Sequence, residues 1–572
     1  MILRLPLFDI IGDHAMIYSK TVYIRKQQGE NSANMTPIVR NALSELRESR
    51  DGCLAFERGE YHFYEDGAYE RFLAVSNNSY GVKHIAFPIF GYDGLTVDGG
   101  GTVFVFHGRV FPFAICDSKG VTLKRFASDR AYSPAAVFKV ANKSELGFGL
   151  LTDKTLKYRI DNNEVIFERE SGGFSTHEQM LSLHSFEPWR VRYLFASPTC
   201  SPNRKLAAPF MLTTAEHMEG GIYFRYRAEN KISCDFEEGQ ELLSLLDGGR
   251  DIDVIFLADS SSTVIKDITV RRGVGMGVIA QLCEDIEIDG FACDPSYHGD
   301  RISVTADALH FVNCSGKLDI HGCDIRCTMD DALNVHGMYT LLCDHSDGKL
   351  TVGIGHAEQY HFCPYKKGDR LRLIDPYTLD IKAYFNVDRV QMSDTDGERI
   401  FLFGSLEGDE RSLTSGMLIE AYQRMPKLHL HSNHFFRIPH VRLSGAGGIL
   451  MEDNEIDGCC AALLALDLAD YWYESGRISE LVFRRNTVRG CDRFGGTRAV
   501  KIGVSGFAAD SSPSIHGRIE IYENTFEDIS VSAVSASGVR EIVIRDNSYA
   551  PKREELILIN GKNETKKYID RS

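Results

Sequence analysis

The strongest constraint in this chain is a repeat of short strands, in which apolar and polar residues alternate until an Asn, Gly or Asp ends the run. Examples are "DIEIDGFAC" at 285–293 and "LVFRRNTVRGC" at 481–491. Such alternation is typical of half-buried strands, and a recurring strand-and-turn unit is typical of a solenoid. Ile268, Ile286 and Leu309 lie 18 and 23 residues apart, intervals that we interpret as single coils. The sequence therefore predicts an all-β chain built on a right-handed parallel β-helix.

Asparagines recur at equivalent turn positions of the later segments. They are Asn454, Asn486, Asn524 and Asn547. An Asn tolerates the left-handed backbone conformation and forms hydrogen bonds across a turn. We therefore interpret these asparagines as turn and stacking residues that contact the next coil, and not as catalytic residues.

Two stretches interrupt the repeat. Residues 140–250 and 340–425 carry strands bounded by "DNN", "DG" and "GD" turns without a coil period, which are hairpin signals, so we expect two inserted antiparallel β-barrel-like domains. A helix is predicted at 35–49, behind a Thr cap and a Pro, where it would cap the first coil. The predicted organisation is an N-terminal cap with the first coils (1–139), the first insertion (140–250), the coils with the candidate acids (251–339), the second insertion (340–425) and the C-terminal coils (426–572).

The charge balance restricts the partners. The formal net charge is -16 with a pI near 5.7, which leaves no basic face for nucleic acid or an anionic membrane. No apolar run approaches the ~18 residues that a membrane span needs. The apolar start "MILRLPLFDIIGDHAMIYSK" is interrupted by Asp9 and Asp13 and resembles no secretory signal. We expect a cytoplasmic protein, the alternative being a secreted protein whose signal peptide has been removed.

The cysteines do not form a metal-ligand pattern. There are 14 of them, without a CxxC pair, and Cys323 and Cys327 lack a second pair that would complete a zinc site. We interpret most of them as small buried apolar residues in stacked positions, not as ligands or disulfides. This favours a reducing compartment, and we expect neither a metal nor another cofactor.

The candidate chemistry centres on "CTMDDALNVHGMY", in which Asp330 and Asp331 are adjacent. Adjacent residues of a regular strand point to opposite faces, so the two carboxylates converge only where the strand bends into a turn. Asp307 lies 23 residues before Asp330, one predicted coil, and coils stack at about 4.8 Å. Three carboxylates would then share one patch, and at least one would retain its proton because like charges repel. A protonated acid beside ionised ones is what glycosidic cleavage requires.

Simpler interpretations remain open for these residues. An Asp-Asp pair is also compatible with a solvated turn or with Ca²⁺ ligation. Asn334 and His336 follow on alternate positions and would line the same face as substrate contacts. A structural hydrogen-bonding role suits His336 equally well on spacing alone.

The segment "TADALHFVNCSGKLDIHGCDIRCTMDDALNVHG" resembles the core of glycoside hydrolase family 110, the α-1,3-galactosidases that remove terminal galactose from the blood-group B determinant and related glycans. The likeness extends to "GEYHFYEDGAYERFLAVSNNSYG" and "DYWYESGRISELVFRRNTVRGC". It implies an inverting hydrolysis without a metal, in which Asp307, Asp330 and Asp331 match the three active-site aspartates. By analogy with the polygalacturonases, Asp330 would be the general acid, while Asp307 and Asp331 would hold and deprotonate water.

Four further residues are candidate substrate contacts. Trp472 would stack on the apolar face of galactose, the alternative being a core position. Glu474 would accept hydrogen bonds from sugar hydroxyls, the alternative being a solvated face. His310 and Arg301 flank Asp307 and would contact the sugar as well.

The predicted function is an exo-acting, inverting α-1,3-galactosidase acting on a galactose-terminated glycan, such as the blood-group B antigen or a linear α-galactosyl end. One alternative is a polygalacturonase-like enzyme, although "TRAVKIG" at 497–503 matches the uronate-binding element of those enzymes poorly. Another is a non-catalytic carbohydrate-binding β-helix with Ca²⁺ bound at Asp330 and Asp331. The flanks of the β-helix also offer surfaces for a homodimer.

Overall fold

The structure is a computed structural model that describes residues 18–25, 33–144, 250–393, 397–445, 447–491, 498–506, 513–529 and 532–550. Between 146 and 245, and again at 557–569, it describes strands and short turns separated by gaps. The start of the chain, to which the expectation about a secretory signal applies, lies outside the described residues up to position 17. No described helix is both long and apolar enough to cross a membrane.

Among the described N-terminal residues there is one α-helix, which covers the first coil. Helix α1 (Thr36–Leu46) buries Val39 and Leu43 in the same core as the first strands, so the predicted cap is confirmed. Thr36 lies inside the first turn, and its hydroxyl donates to the carbonyl of Tyr64 at 2.8 Å instead of capping the helix. The strands here are β1 (Lys20–Ile24), β2 (Gly52–Phe56), β3 (Glu60–Phe63), β4 (Tyr69–Val75), β5 (Ser79–Phe90), β6 (Asp93–Phe106), β7 (Val110–Cys116) and β8 (Lys119–Arg130).

The first interruption of the repeat forms antiparallel sheets. Seven strands are ordered β15-β14-β18-β9-β10-β17-β16, and three more are ordered β11-β12-β13. Their bounds are β9 (Ala135–Ser144), β10 (Gly147–Thr152), β11 (Tyr158–Asp161), β12 (Glu164–Glu168), β13 (Phe174–Thr176), β14 (Ser182–Glu187), β15 (Arg190–Phe195), β16 (Leu212–Met218), β17 (Gly221–Tyr226) and β18 (Glu241–Leu245).

The middle coils lead into a closed antiparallel barrel ordered β28-β29-β32-β31-β30-β33. The coil strands are β19 (Ile255–Ala258), β20 (Ser261–Val270), β21 (Val278–Gln281), β22 (Glu284–Asp289), β23 (Ala292–Cys293), β24 (Leu309–Val312), β25 (Ser315–His321), β26 (Asp324–Arg326) and β27 (Leu333–Met338). The barrel strands are β28 (Thr340–Ser346), β29 (Lys349–Gly353), β30 (Arg370–Ile374), β31 (Ile381–Met392), β32 (Arg399–Glu407) and β33 (Leu418–Glu420). Short 3₁₀ helices lie at Pro295–His298, Ala357–Gln359 and Glu410–Ser412.

The chain then returns to the β-helix. Its strands are β34 (Lys427–His431), β35 (His434–Ser444), β36 (Gly448–Glu452), β37 (Glu455–Leu468), β38 (Glu474–Ser475), β39 (Glu480–Arg484), β40 (Thr487–Cys491), β41 (Val500–Ser505), β42 (His516–Tyr522), β43 (Thr525–Glu527), β44 (Val534–Ser537), β45 (Val539–Arg545), β46 (Ser548–Ala550), β47 (Ile557–Asn560) and β48 (Lys566–Ile569). A parallel β-helix that carries antiparallel insertions is thereby confirmed.

Parallel pairing between coils arranges the strands in three faces. The first face contains β8, β20, β22, β25, β34, β36, β39, β42, β45 and β48. The second face contains β23, β26, β40, β43 and β46 with the N-terminal parts of β35 and β37. The third face contains β7, β19, β21, β24, β27, β41, β44 and β47 with the C-terminal parts of β35 and β37.

The register shows that the coils differ in length. Ile286 pairs with Leu318 on the first face, whereas Leu309 lies on the third face and pairs with Val278. The prediction that the intervals of 18 and 23 residues between Ile268, Ile286 and Leu309 are single coils is therefore wrong. Turns of different length separate the faces, so equal spacing along the chain does not identify stacked residues.

A ladder of asparagine side chains joins five coils at one corner. Asn433, Asn454, Asn486 and Asn524 each donate from Nδ2 to Oδ1 of the next asparagine, the last acceptor being Asn547, at 2.9–3.1 Å. The predicted stacking role is confirmed. The left-handed conformation, however, falls on the residue before each asparagine, as in Arg485 with φ 51°. The asparagine itself supplies the amide that satisfies buried backbone groups.

Most described cysteines are small buried residues, as predicted. Cys283, Cys314 and Cys323 lie in the core that the coils enclose, and burial raises the pKa of the Cys314 thiol to about 12. Cys459 and Cys491 depart from the prediction because they form a disulfide between β37 and β40, where they are register partners.

Asn486→Ala tests the ladder. The variant removes the acceptor of the Asn454 backbone and side-chain N–H groups and the donor to the Met451 carbonyl. Because buried unpaired polar groups remain, the free energy of unfolding should fall by about 2–4 kcal/mol, measured by urea denaturation. Asn386→Ala, which removes one exposed hydrogen bond to Glu407, should change it by less than about 1 kcal/mol. Equal losses in the two variants would contradict the role of the ladder.

Candidate active site

Three aspartates meet where the third face begins in two successive coils. Asp307 precedes β24, and Asp330 and Asp331 occupy a bend that precedes β27. The backbone N–H of Ala308 donates to the Asp331 carbonyl at 2.9 Å, which aligns Asp307 with Asp331 and not with Asp330. The predicted alignment is wrong by one residue because this coil is longer than assumed. One oxygen from each carboxyl group lies within 4.8 Å of the other two.

Asp330 is held as a carboxylate by Arg250. Nη2 of Arg250 lies 2.6 Å from Oδ2 of Asp330 and 4.0 Å from Oδ1 of Asp307. Burial opposes ionisation, but Arg250 keeps the pKa of Asp330 below its ordinary value. The side chain of Asp330 is 39% exposed, so this carboxylate faces the solvent side of the cluster.

Asp307 belongs to a chain of buried hydrogen bonds. Its Oδ2 lies 2.7 Å from Nδ1 of His310, and Nε2 of His310 lies 2.9 Å from Nε2 of His336. At the far end, Nδ1 of His336 lies 2.7 Å from the carbonyl of Gly337. A carbonyl only accepts, so Nδ1 of His336 carries a proton and, in a neutral ring, Nε2 accepts one. His310 then donates from Nε2 and accepts at Nδ1.

This donor assignment leaves Asp307 as the donor to His310, so its carboxyl group carries a proton. The pKa values of His310, His336 and Asp307 agree with this position of the proton. Burial lowers the pKa of His310 and of His336 to about 4, so both rings are neutral near pH 7. Burial, reinforced by Asp330 and Asp331, raises the pKa of Asp307 well above its usual range. The proton therefore resides on Asp307, which differs from the sequence-based expectation that Asp330 would be the acid.

Asp331 has a partner of its own. Its Oδ1 lies 2.9 Å from Nδ1 of His440, a residue of β35 in the following coil. Asp331 is buried, whereas the His440 side chain is 25% exposed. The imidazole therefore connects the buried carboxyl group to solvent.

Glu474 lies in a buried polar network and not on a solvated surface. Its Oε1 accepts hydrogen bonds from Nδ2 of Asn77 at 3.0 Å and from Nδ2 of Asn334 at 3.5 Å. Its Oε2 lies 3.1 Å from Nε of Arg442. Burial opposes ionisation, but the positive charge of the neighbouring Arg442 lowers the pKa of Glu474. A fixed carboxylate beside amide and guanidinium groups suits the recognition of hydroxyl groups.

Three parts of the chain meet around Trp472. The ring of His356, from the barrel, lies 4.3 Å from the Trp472 ring. The neighbouring barrel residue Gln359 donates from Nε2 to the Trp472 carbonyl at 2.8 Å and to Oδ1 of Asn77 at 3.2 Å. Asn77 lies in the turn between β4 and β5. The second insertion and the β4–β5 hairpin thus form one wall with the segment that carries Glu474.

Arg301 does not join the cluster. Its guanidinium binds the carboxylate of Glu241 in β18, with Nε–Oε2 and Nη2–Oε1 distances of 3.2 and 3.3 Å. Proximity to Asp307 in sequence does not bring its side chain to the acids, because a bend and the start of the third face separate them. His310, Asn334, His336 and Glu474, in contrast, share the buried network described above.

A divalent cation suits the three aspartates poorly. Their oxygen atoms are close enough to share an ion, and Ca²⁺ prefers carboxylate oxygens. Asp330, however, is paired with Arg250, and Asp331 is bonded to His440. With Asp307 protonated and Asp330 paired with Arg250, the cluster attracts a cation less strongly than three free carboxylates would.

Two known proteins are similar to this chain over most of its length. "Alpha-1,3-galactosidase A" of Shewanella woodyi is 26% identical over 538 residues, which cover 93% of this chain and 85% of that protein. "Alpha-1,3-galactosidase B" of Bacteroides fragilis is 26% identical over 560 residues, covering 91% of this chain and 89% of the relative. The chain is a homologue of the α-1,3-galactosidases. The resemblance proposed from the sequence is thus confirmed, although no family model matches.

Among solved structures, the family 28 exopolygalacturonase of Yersinia enterocolitica is similar, with a TM-score of 0.39 and 10% identity over 96% of this chain and 78% of that one. So distant a likeness assigns no residue of this α-1,3-galactosidase homologue a role.

Several residues of this site were not predicted from the sequence. Arg250, Asn77 and Gln359 come from the edge of the first insertion, the β4–β5 turn and the barrel. His440 and Arg442 stand on alternate positions of β35 and face the same side as Asp331 and Glu474. Only the β35 pair has a local signal in the sequence, because His440 and Arg442 alternate with the apolar Val441 and Leu443.

Asp307→Asn and Asp330→Asn should alter stability with opposite pH dependences. A raised pKa means that folded Asp307 keeps a proton that the unfolded chain loses above about pH 4, so wild-type stability falls as pH rises. Asn keeps the donor to His310 and removes this loss. The melting temperature of D307N relative to wild type should therefore increase from pH 4 to pH 7.

Asp330 has a lowered pKa, so its contribution is present above about pH 4 and is lost as pH falls. D330N should therefore be destabilised by a constant amount from pH 7 down to about pH 4, and its deficit should shrink only as the pH falls below that value. Thermal denaturation of both variants, from pH 7 to below pH 4, is the measurement. Parallel curves for the two variants would contradict the assigned charge states.

Proposed function

We propose that this protein is an exo-acting glycoside hydrolase that removes terminal α-1,3-linked galactose from glycans. The observation that carries the proposal is the contrast between Asp307, which the buried histidines keep protonated, and Asp330, which Arg250 keeps ionised. Two carboxyl groups with separated proton affinities are the basis of acid and base roles in glycoside hydrolysis. The relatives named α-1,3-galactosidase supply the substrate.

In the proposed reaction Asp307 is the general acid. It gives its proton to the glycosidic oxygen while the bond from that oxygen to the anomeric carbon breaks. The new carboxylate remains within 4.0 Å of the Arg250 guanidinium, whose positive charge stabilises it. Arg250 thus stabilises the Asp330 carboxylate before the proton transfer, and the carboxylates of both Asp330 and Asp307 after it.

Asp331 is the proposed general base. It takes a proton from the water that attacks the anomeric carbon, while Asp330 orients that water by accepting its second hydrogen. Arg250 makes Asp330 a weak base because it stabilises the ionised form of that carboxyl group. His440 then offers a route by which the proton on Asp331 returns to solvent.

Inversion is the proposed stereochemical outcome, although the carboxyl groups are close together. Typical inverting pairs are about 6.5–9.5 Å apart, whereas one oxygen from each of these three groups lies within 4.8 Å of the others. A third acid relaxes that requirement because water can bind between Asp330 and Asp331, to one side of Asp307. The configuration of the released sugar is therefore an informative measurement.

The galactose-binding residues of the proposal are Glu474, Asn334, Arg442 and Trp472. The first three form a buried polar group that is suited to hydroxyl recognition. Trp472 would offer its ring to the apolar face of the sugar. A uronate polymer is a poorer substrate because Arg250 and Arg442 already have carboxylate partners.

Substrates with different leaving groups test the acid. p-Nitrophenolate leaves without protonation, whereas a sugar hydroxyl needs it. D307N should therefore lose about 10²–10⁴-fold in kcat on α-1,3-galactobiose, but much less on p-nitrophenyl α-galactoside. D331N should lose comparable activity on both, and D388N, an exposed barrel position, should lose none. If D330N instead showed the leaving-group dependence, Asp330 would be the acid.

Product analysis tests the reaction itself. The enzyme should release galactose from α-1,3-linked disaccharides but not from α-1,4- or α-1,6-linked ones, and ¹H NMR should show the β-anomer first. Comparing the branched blood-group B trisaccharide with a linear α-1,3-galactosyl trisaccharide would measure the effect of the fucose branch. Inactivity on every α-galactoside would overturn the proposal, and release of the α-anomer would overturn inversion.

A further inference from the structure

A second cluster of ionisable side chains lies on the outer side of the first face. Alternate residues of β25 and β34, such as Leu318 and Leu428, are buried in the core. The residues between them point outward, and the register pairs Asp319 with His429. His431 lies two positions after His429, so both imidazoles stand on the same side of β34. The proposed catalytic residues Asp307, Asp330 and Asp331, in contrast, precede strands of the third face.

Three atoms of this cluster that can ligate a metal lie close together. Oδ1 of Asp319 lies 3.6 Å from Nδ1 of His429 and 3.4 Å from Nε2 of His431. These atoms all lie within 4.8 Å of one another. Oδ1 of Asp319 is buried, and no donor in the described part of the chain reaches it with hydrogen-bond geometry. The other oxygen, Oδ2, accepts a hydrogen bond from Lys317 at 2.6 Å.

The spacing matches the coordination of a small divalent ion. Zn²⁺ binds imidazole nitrogen and carboxylate oxygen at about 2.0–2.2 Å, and tetrahedral geometry then separates neighbouring donors by about 3.4 Å. The two distances to Asp319 Oδ1 are close to this value. Two imidazoles and one carboxylate leave one position for water. Imidazole favours Zn²⁺ and related transition metals over Ca²⁺ or Mg²⁺.

The surroundings also suit a metal ligand. Nε2 of His429 lies 3.0 Å from Oε1 of Glu452, and a carboxylate on the far nitrogen orients a ligating histidine and increases its basicity. Arg484 and Arg485 hold the other oxygen of Glu452, which fixes that carboxylate.

We propose that Asp319, His429 and His431 bind one Zn²⁺ ion, or a chemically similar transition-metal ion, on the first face. Asp319 belongs to the coil before the barrel, and both histidines belong to the coil after it. The ion would therefore join the two coils between which the barrel is inserted. Its role is structural, because a ligand that binds only the folded protein stabilises it, and it is independent of the proposed hydrolysis.

Zinc binding to the full chain without a polyhistidine tag, after chelator treatment, tests the proposal. Isothermal titration at pH 7.5 should show one equivalent bound at micromolar affinity or better, together with a higher melting temperature. His431→Gln and Asp319→Asn should each weaken binding at least about 100-fold, because each removes a ligand. Glu452→Gln should weaken it about 10–100-fold.

Two control variants separate this site from other zinc-binding groups. His345 in the barrel is as exposed as His431, at 28% for each side chain, and also lies near a carboxylate. His345→Gln should bind like wild type, as should Asp331→Asn, which alters the catalytic carboxylates. Circular dichroism without metal checks that each variant folds. The proposal is overturned if wild type binds no zinc, or if both H431Q and D319N bind it as tightly as wild type.

Discussion

Parallel hydrogen bonding between successive coils is the interaction on which every other feature of this molecule depends. Each coil pairs residue by residue with the next, so a side chain in one coil has a fixed neighbour in the following one. This register aligns Asp307 with Asp331, stacks the asparagine ladder and sets Asp319 beside His429. Chemistry in such a fold is assembled along columns of stacked residues, and not within a loop.

The same register explains how the molecule tolerates its barrel. β25 precedes the barrel and β34 follows it, yet the two strands pair with an uninterrupted register from Lys317–Lys427 to His321–His431. The parallel pairing of the first face therefore continues across the insertion. The barrel is inserted between two coils, so it adds surface to the site. It does not interrupt the backbone pairing between coils that positions the acids.

Burial sets the charge states of the site. Removing several carboxylates from water is costly unless each is paired or protonated. The structure uses both solutions, since Asp330 and Glu474 face Arg250 and Arg442 while Asp307 keeps its proton. The neutral state of His310 matters because this ring can accept the Asp307 hydrogen bond without adding positive charge. A protonated His310 would instead favour an ionised Asp307 and remove the acid.

The sequence predicts what local pattern determines. Strand alternation identified the β-helix, and the Asp pair followed by "NVHG" identified the core of the site, because both follow from a few consecutive residues. Coil length was not predictable, since the turns between faces differ in length, and the error displaced Asp307 by one residue. Arg250 and Gln359 carried no local signal. Their positions depend on how the insertions fold back onto the β-helix.

The way in which the insertions fold back onto the β-helix affects whether the site binds the end or the interior of a glycan. The third face of a β-helix alone forms a long open surface, which suits binding within a polymer. Here Gln359 of the barrel binds Asn77 of a hairpin that precedes the first insertion, and His356 packs on Trp472. Barrel, hairpin and coil thereby form a wall beside Glu474, which Asn77 of the hairpin binds directly. We infer that this wall makes the site suited to one terminal sugar, because an internal residue of a polymer would need room on both sides.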